Sequence, residues 1–382
     1  MSGDQGAKGT GVLIMLGDGH IDLPADIIIE IILRFPVKSI YRSKCVCRDW
    51  YNVIESREFR EHHYALQNDS TFIIEDYSGI VKIFTEEKLR VVENIKISVL
   101  NYSETLVKNV DKMQVWDDCE THPCRGLFLL RFYRYRFGIL NPRTRDFKLL
   151  PKMPDVVTRW DPSRDEYKVV FFHYDGLGGL TDQLNSDSLV VAVYSLKSDS
   201  WKLLDSPPPK LKSGCIKNSK DWNIHINGFC YWLTSYGHHP SLVSFDVARE
   251  RFGMVTLPPK VMNGNHTVLS TYYNSPALLY WRRYEVMEIW VLQEQQQYWT
   301  KAFSFRQMDP EIRAIGIWNN THVLLQRGYA NKPSKQFFMY DMNNDHHEEE
   351  KVVFTSDHRL TTFPNYKKSL FCPTKMAKDT NL

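Results

Sequence analysis

Leu23-Pro24-Ala25-Asp26-Ile27-Ile28-Ile29-Glu30-Ile31-Ile32-Leu33-Arg34-Phe35-Pro36 is the stretch from which the rest of the chain can be read. Pro24 suits a first helical turn, where its missing N–H is not needed. Pro36 stops the helix near Phe35, because a residue before proline is pushed out of the helical region. Asp26, Glu30 and Arg34 fall at i, i+4 and i+8 and draw one polar stripe. Glu30 precedes Arg34, the better order for a helical ion pair. Every other position from Ile27 to Phe35 is apolar. A surface helix ordinarily buries one stripe. This one needs cover on two sides, which predicts that part of it meets another chain. A strand is the competing reading, since β-branched residues dominate, but it leaves the prolines and the charged stripe unexplained.

The following residues extend a compact helical unit. A second helix runs from Val37 to Cys45, apolar at Val37, Ile40 and Tyr41, with Lys38 and Arg42 continuing the polar spacing. A third passes through Trp50, Tyr51, Val53 and Ile54. A unit of about 45 residues lies near the lower limit for independent stability. Lys38, Arg42, Lys44 and Arg48 favour an acidic partner surface. Leu23-Pro24, then Pro36-Val37-Lys38-Ser39, then Val46-Cys47-Arg48-Asp49-Trp50 resembles an F-box in order and spacing. The resemblance implies a three-helix hook that docks on a Skp-family adaptor, which joins it to a cullin and a RING subunit in an SCF ubiquitin ligase. It also implies that Leu23, Pro24, Ile27, Ile28, Ile31, Ile32, Pro36, Ile40, Val46 and Trp50 share the work of core and adaptor interface, with no division between the two.

A chain of 382 residues has room for a large second core. Its 43% apolar and 24% charged residues are ordinary for a globular protein. The aromatic content of 13% is high and favours β structure, where rings pack across strands. A net charge of +3 is too small to make nucleic acid or membrane the main partner. No apolar run approaches the roughly 20 residues needed to span a bilayer. Val12 to Leu16 is a brief apolar patch and a poor signal peptide, so residues 1–18 read as a flexible lead-in. Seven scattered cysteines argue against a secreted disulfide framework. Cys119 and Cys124 stand at C-x4-C with no second pair at zinc-ligand spacing. The thiols therefore read as unligated in a reducing compartment, the cytoplasm with the nucleus as a second location, and no metal or cofactor is expected.

Beyond Tyr64 the helical period gives way to short alternating runs. Phe72-Ile73-Ile74 and Ile80 to Phe84 predict a hairpin about Ser78-Gly79. Gly138 to Pro151 reads as strand, turn and strand, and the shape returns at Val193 to Leu204, Val243 to Phe252, Glu288 to Leu292 with Trp299, and Phe338 to Asn344. Taking Leu140, Tyr194, Phe245, Trp290 and Tyr340 as equivalent gives steps of 54, 51, 45 and 50 residues. A period near 50 with strand-turn-strand units is kelch-like. Each unit would be one four-stranded blade of a ring that leaves few open edges. The segment before Leu140 has room for one or two more, so about six are expected. An irregular β-sandwich is the alternative.

Asn141-Pro142-x-Thr144-Arg145, Asp165 to Val170, Val193-Tyr194-Ser195-Leu196 with Ser200-Trp201, Gly228 to Leu233, Ser244-Phe245-Asp246 and Ile289 to Leu292 with Trp299 resemble the F-box-associated domain of plant F-box proteins. One departure is Cys124-Arg125-Gly126-Leu127, where that family usually has Cys-Asn-Gly-Leu. The S-locus F-box proteins share this layout and length, which implies one specific role, the recognition of pistil ribonucleases by pollen in self-incompatibility. A receptor for another endogenous target is the broader reading.

Other clusters give no chemistry. Arg131 to Phe137 could stack on RNA, but the alternation of Arg134 and Arg136 with aromatic residues fits two strands better. His346-His347 and His238-His239 read as loops, and no hydrolase, zinc-protease, P-loop or dinucleotide motif is present.

The expected fold is thus α+β, with a flexible residue 1–18 segment, an F-box over 19–64, a kelch-like propeller over 65–372 and a flexible tail over 373–382. The expected function is non-catalytic target recognition for an SCF-type ligase. The alternative is a ligand-binding or enzymatic propeller with a helical appendix. Loops carry recognition in such scaffolds, which nominates Asp175 to Ser188, with Asp175, Leu177 and Asp182, and Pro207 to Lys220, with Lys210 and Lys212.

Overall fold

The computed structural model describes residues 12–16, 19–67, 71–75, 80–85, 91–96, 124–132, 136–152, 167–174, 189–204, 223–236, 239–262, 266–281, 286–293, 298–306, 311–328, 335–343, 351–356, 361–363 and 367–376. The chain groups into two units: Met1–Asn68 with Lys367–Phe371, and Asp69–Tyr366 with Cys372–Leu382.

In the first unit, β1 (Val12–Leu16) and β2 (Gly19–Leu23) pair antiparallel, with Ile14 opposite Ile21. Part of the expected flexible lead-in is therefore a hairpin. Helix α1 (Ala25–Leu33) starts where Pro24 is extended and its carbonyl receives the Ile27 and Ile28 amides at 3.0 and 3.2 Å. Pro36 repeats the device for α2 (Val37–Ser43), accepting from Ser39 and Ile40. Helix α3 (Arg48–Glu55) is capped by the Cys47 sulfur, which accepts from the Trp50 amide at 3.5 Å. A fourth helix, α4 (Arg57–Leu66), was not expected. The Ser56 hydroxyl caps it by accepting from the Phe59 amide at 3.2 Å, as N-terminal serines do.

The core of this unit joins Ile28, Ile32, Leu33, Val37, Ile40, Ile54 and Phe59 with Leu370. His63 is fully buried beneath them, its ring stacked on Phe59 at 6.4 Å and its Nε2 3.3 Å from the Phe35 carbonyl. Residues 367–371 thus reach the helices from the far end of the sequence.

The second unit is a series of antiparallel sheets. β3 (Thr71–Glu75), β4 (Ile80–Thr85) and β5 (Val91–Lys96) carry the expected hairpin, with Phe72 opposite Phe84. β6 (Phe128–Phe132), β7 (Arg136–Asn141) and β8 (Asp146–Leu149) form the next sheet. The basic-aromatic run lies in β6 and β7 except for Tyr133 to Tyr135, which are outside the described residues. β9 (Lys168–Tyr174), β10 (Leu189–Ser195) and β11 (Ser200–Leu204) follow. Two four-stranded meanders come next. The first is β12 (Asn223–Ile226), β13 (Phe229–Tyr236), β14 (His239–Asp246) and β15 (Arg251–Val255). After the short helix α5 (Pro259–Met262), the second is β16 (His266–Tyr272), β17 (Ser275–Trp281), β18 (Val286–Gln293) and β19 (Tyr298–Arg306). The last is β20 (Ile312–Trp318), β21 (His322–Arg327), β22 (Lys335–Asp341) and β23 (Lys351–Ser356). β24 (Thr361–Phe363) returns to pair with β3, Thr362 opposite Ile74. His239 opens a strand and is not in a loop as the sequence suggests, because its register with Tyr236 carries the β13–β14 ladder to the turn. Pro373–Met376 form a helical turn, α6, held by Asp146, which accepts from the Thr374 amide and hydroxyl at 2.8 and 2.6 Å. The expected loose tail therefore starts ordered.

All five residues of the sequence period fall on corresponding strands. Leu140, Tyr194, Phe245, Trp290 and Tyr340 lie on β7, β10, β14, β18 and β22, in each case the strand before the last of its sheet. Leu140, Tyr194 and Phe245 are completely buried. Within a sheet, burial is graded. β17 is buried along nearly its whole length, whereas β19 at the sheet edge is mostly exposed.

The same links recur between consecutive sheets. Trp201 of β11 donates its indole N–H to the Pro151 carbonyl after β8, and Trp299 of β19 donates to the Thr256 carbonyl after β15, at 2.9 and 2.8 Å. The Asn227 amide donates to the Asn274 carbonyl at 3.1 Å, and the Asn320 side chain accepts from the Tyr273 amide at 2.8 Å, each pair spanning 47 residues. First strands also pack side by side, β12 beside β16 and β16 beside β20.

Candidate functional site

The ten residues nominated for core and adaptor contact separate by exposure. Ile28, Ile32 and Ile40 are core, at 3%, 1% and 0% exposed. Ile27, Ile31 and Val46 face out, at 47%, 42% and 61%. Ile27 and Ile31 are one helical turn apart, so they share a face of α1. Pro24 and Pro36 are exposed at the two ends of that helix. Trp50 is half-buried against the core, and its enclosed indole N–H meets no hydrogen-bond partner among the described residues. Leu23 ends β2, and its side chain is outside the described ones. Tyr51 on α3 and Leu66 on α4 add exposed apolar surface that the sequence reading did not nominate.

The surrounding charges are partly spent inside the unit. Lys38, Arg42 and Arg48 are exposed. Lys44 differs from expectation: it pairs with Glu55 at 2.7 Å, and its ammonium sits 3.9 Å above the Tyr41 ring. The predicted Glu30–Arg34 pair forms at 3.0 Å on the exposed side of α1, where such a pair contributes only about 0.3–0.5 kcal/mol.

In the second unit, Asp175, Leu177, Asp182, Lys210 and Lys212 lie outside the described residues. Their flanks are described. Leu189 pairs with Tyr174, and Leu204 pairs with Val191. Tyr174 and Leu189, which flank the first segment, therefore stand at one end of the β9–β11 sheet, and β11 ends at Leu204 near that same end before the chain passes to the next sheet.

That sheet is tied to the next by a buried ion triad. Glu250, at the tip of the β14–β15 turn, receives Lys168 at 2.7 Å and Lys202 at 2.9 Å. Lys168 and Glu250 side chains are only 3% and 8% exposed. Burial works against the Glu250 carboxylate, but hydrogen bonds and charge from the two lysines hold it below the usual carboxylate range. The triad ties neighbouring sheets together.

An F-box domain matches residues 21–62, and an F-box associated beta propeller domain matches residues 72–369. The chain belongs to the F-box proteins with an F-box-associated domain. Three Arabidopsis thaliana proteins named as F-box proteins are 24%, 27% and 23% identical to this F-box protein over 250, 300 and 260 residues. The alignments cover 62%, 72% and 63% of this chain and 64%, 76% and 66% of those proteins. The chain thus spans just under two thirds of the length of two of them. F-box/WD-40 repeat-containing protein 1 of the same plant is 25% identical over 314 residues, covering 75% of this chain and 70% of its own. A likeness to the crystal structure of TolB from Acinetobacter baumannii, with TM-score 0.34 and 9% identity over 72% of this chain and 67% of that one, is too slight to bear on the fold.

Proposed function

We propose that this F-box protein is the target-recognition subunit of an SCF-type ubiquitin ligase acting in the cytoplasm or nucleus. The supporting observation is the split of α1. One side, with Ile28 and Ile32, is sealed in the core, while Ile27 and Ile31 on another side are nearly half exposed. Isoleucines left open beside a sealed core mark a surface that a second chain completes. In this reading Pro24, Ile27, Ile31, Pro36, Val46 and Trp50 meet the Skp-family adaptor, with Leu23 at its margin. Ile28, Ile32 and Ile40 support the contact from beneath.

The six sheets of the second unit act as blades of a closed propeller, a reading supported by the pairing of β24 with β3 and by the repeated links between sheets. The propeller holds a target protein through the segments nominated between β9 and β10 and between β11 and β12. The ligase then modifies target lysines, and this chain contributes proximity and orientation. The layout shared with S-locus F-box proteins makes pistil ribonucleases one target class to assay. The test is reconstitution of full-length protein with a Skp-family adaptor, cullin and RING subunits. Co-migration as one complex supports the assignment. A chain that elutes alone refutes it and leaves the ligand-binding propeller.

A further inference from the structure

A cavity opens where the β9–β11 sheet meets the Glu250 turn of the next sheet, away from the adaptor face and the nominated target segments. Val193, Ser195, Ser200, Lys202 and Glu250 line it. Four of the five come from one hairpin. Val193 stands opposite Lys202, and Ser195 opposite Ser200, in the β10–β11 ladder. Residues two apart along a strand point to one face, so these four side chains project together. The other face of the hairpin is filled by Tyr194 and Trp201, whose ring centres lie 5.3 Å apart. The cavity is open-mouthed, about 170 Å³ with its mouth included. Its enclosed end has room for about one water-sized group.

The charge on its wall is unbalanced. Glu250 meets Lys168 through Oε1 and Lys202 through Oε2. Two ammonium groups thus share one carboxylate, and the triad keeps a positive surplus. The Lys168 side chain is shut in at 3% exposed, while Lys202 is the open member at 28%, so Lys202 carries that surplus to the cavity. Hydroxyls stand beside it. Ser200 Oγ lies 2.8 Å from Ser198 Oγ, and when Ser198 donates in that pair the Ser200 proton is left for a ligand. Ser195 Oγ accepts from the Ser198 amide at 3.1 Å, which fixes the side chain on the cavity wall. A cation flanked by hydroxyl donors attracts an anion and opposes a cation. A water would fill the enclosed end but leave the surplus charge unanswered.

We propose that this cavity binds phosphate, as the free ion or as an ester. One phosphate oxygen enters the enclosed end and meets the Lys202 ammonium and the Ser200 hydroxyl. The remaining oxygens stay in the mouth, in contact with water. Glu250 does not repel the anion, because both of its oxygens are already engaged by lysines.

The test acetylates the lysines of full-length protein in inorganic phosphate, or in sodium chloride of matched ionic strength, and reads each lysine by peptide mass spectrometry. With a Kd of about 1 mM, at the weak end of specific binding, about 10 mM phosphate should slow acetylation of Lys202 about tenfold. Lys197, exposed on the same hairpin and outside the cavity lining, should keep its rate. Lys202→Met leaves Lys168 its counter-charge. That variant should fold and should lose the rise in melting temperature that phosphate, relative to chloride, gives the wild type. O-phosphoserine in place of phosphate separates the two sources: stronger protection of Lys202 assigns the cavity to an ester, and equal or weaker protection to the free ion. The wild-type labelling decides the matter even if the variant misfolds. Equal acetylation of Lys202 in phosphate and chloride, or equal protection of Lys197, overturns the proposal.

Discussion

The Phe371 ring stands 6.1 Å from that of Tyr64, tilted at 57°, and beside it Leu370 is 1% exposed within the core of the F-box helices. A short helical unit cannot bury enough surface alone, and here five residues from the far end of the sequence belong to it. Leu370→Ala should destabilise that unit by about 2–5 kcal/mol, the usual range for a buried leucine. Urea unfolding followed by a probe on Trp50 measures it. A loss below about 0.5 kcal/mol, the range of a surface change, would show that the helices are complete without the segment.

Glu250 is the shared anion for two lysines, one of them almost fully buried. Glu250→Gln removes the carboxylate that the buried Lys168 and its neighbour Lys202 share and should destabilise the second unit by about 3–5 kcal/mol. Because the folded pKa of Glu250 is depressed from 4.5, its stabilisation is full above that value and is lost as pH falls through the folded one. Thermal melts between pH 6 and pH 3 should show a decline that the variant lacks.

His63 carries the same sign in a different pH window. Burial lowers its pKa from 6.5, only partly opposed by the hydrogen bond with the Phe35 carbonyl. The unfolded chain therefore binds this proton more readily than the folded one, and the helical unit should weaken as pH drops below about 6.5. Amide exchange of α4 at pH 7.5 and 5.5 should register faster opening at the lower pH, and His63→Gln should flatten the difference.

Gly228, at the tip of the β12–β13 hairpin, has φ 80° and open space where a side chain would project. Gly228→Ala meets no neighbour, so its penalty is that of the backbone alone, about 1–2 kcal/mol. A larger loss in a calorimetric melt would mean that the tip packs more tightly than its surroundings show.

Local chemistry made the first helix legible. Pro24 and Pro36 bounded it, and the observed Ala25–Leu33 lies between them. The strand period was also legible, because Leu140, Tyr194, Phe245, Trp290 and Tyr340 lie on the corresponding strand of five sheets. Helix α4 was missed because Arg57, Arg60, His62 and His63 look solvent-facing, although Arg60 and His63 are buried. Trp201 and Trp299 stood out as markers, but their clasp on Pro151 and Thr256 depends on a neighbouring sheet. Leu370 could not be placed in the helical core by any local rule, since the contact crosses nearly the whole sequence. Ile27 and Ile28 are alike as residues and differ only in which side of α1 the core covers.

That last difference carries the functional account. Full-length wild type, Ile27→Asp with Ile31→Asp, and Ile28→Ala can be titrated against a purified Skp-family adaptor by calorimetry, with circular dichroism as a folding control. The double variant should bind at least about a hundredfold more weakly with an unchanged spectrum and melting temperature, while Ile28→Ala should mainly lower the melting temperature. Wild-type affinity in the folded double variant would contradict an adaptor contact through the exposed side of α1.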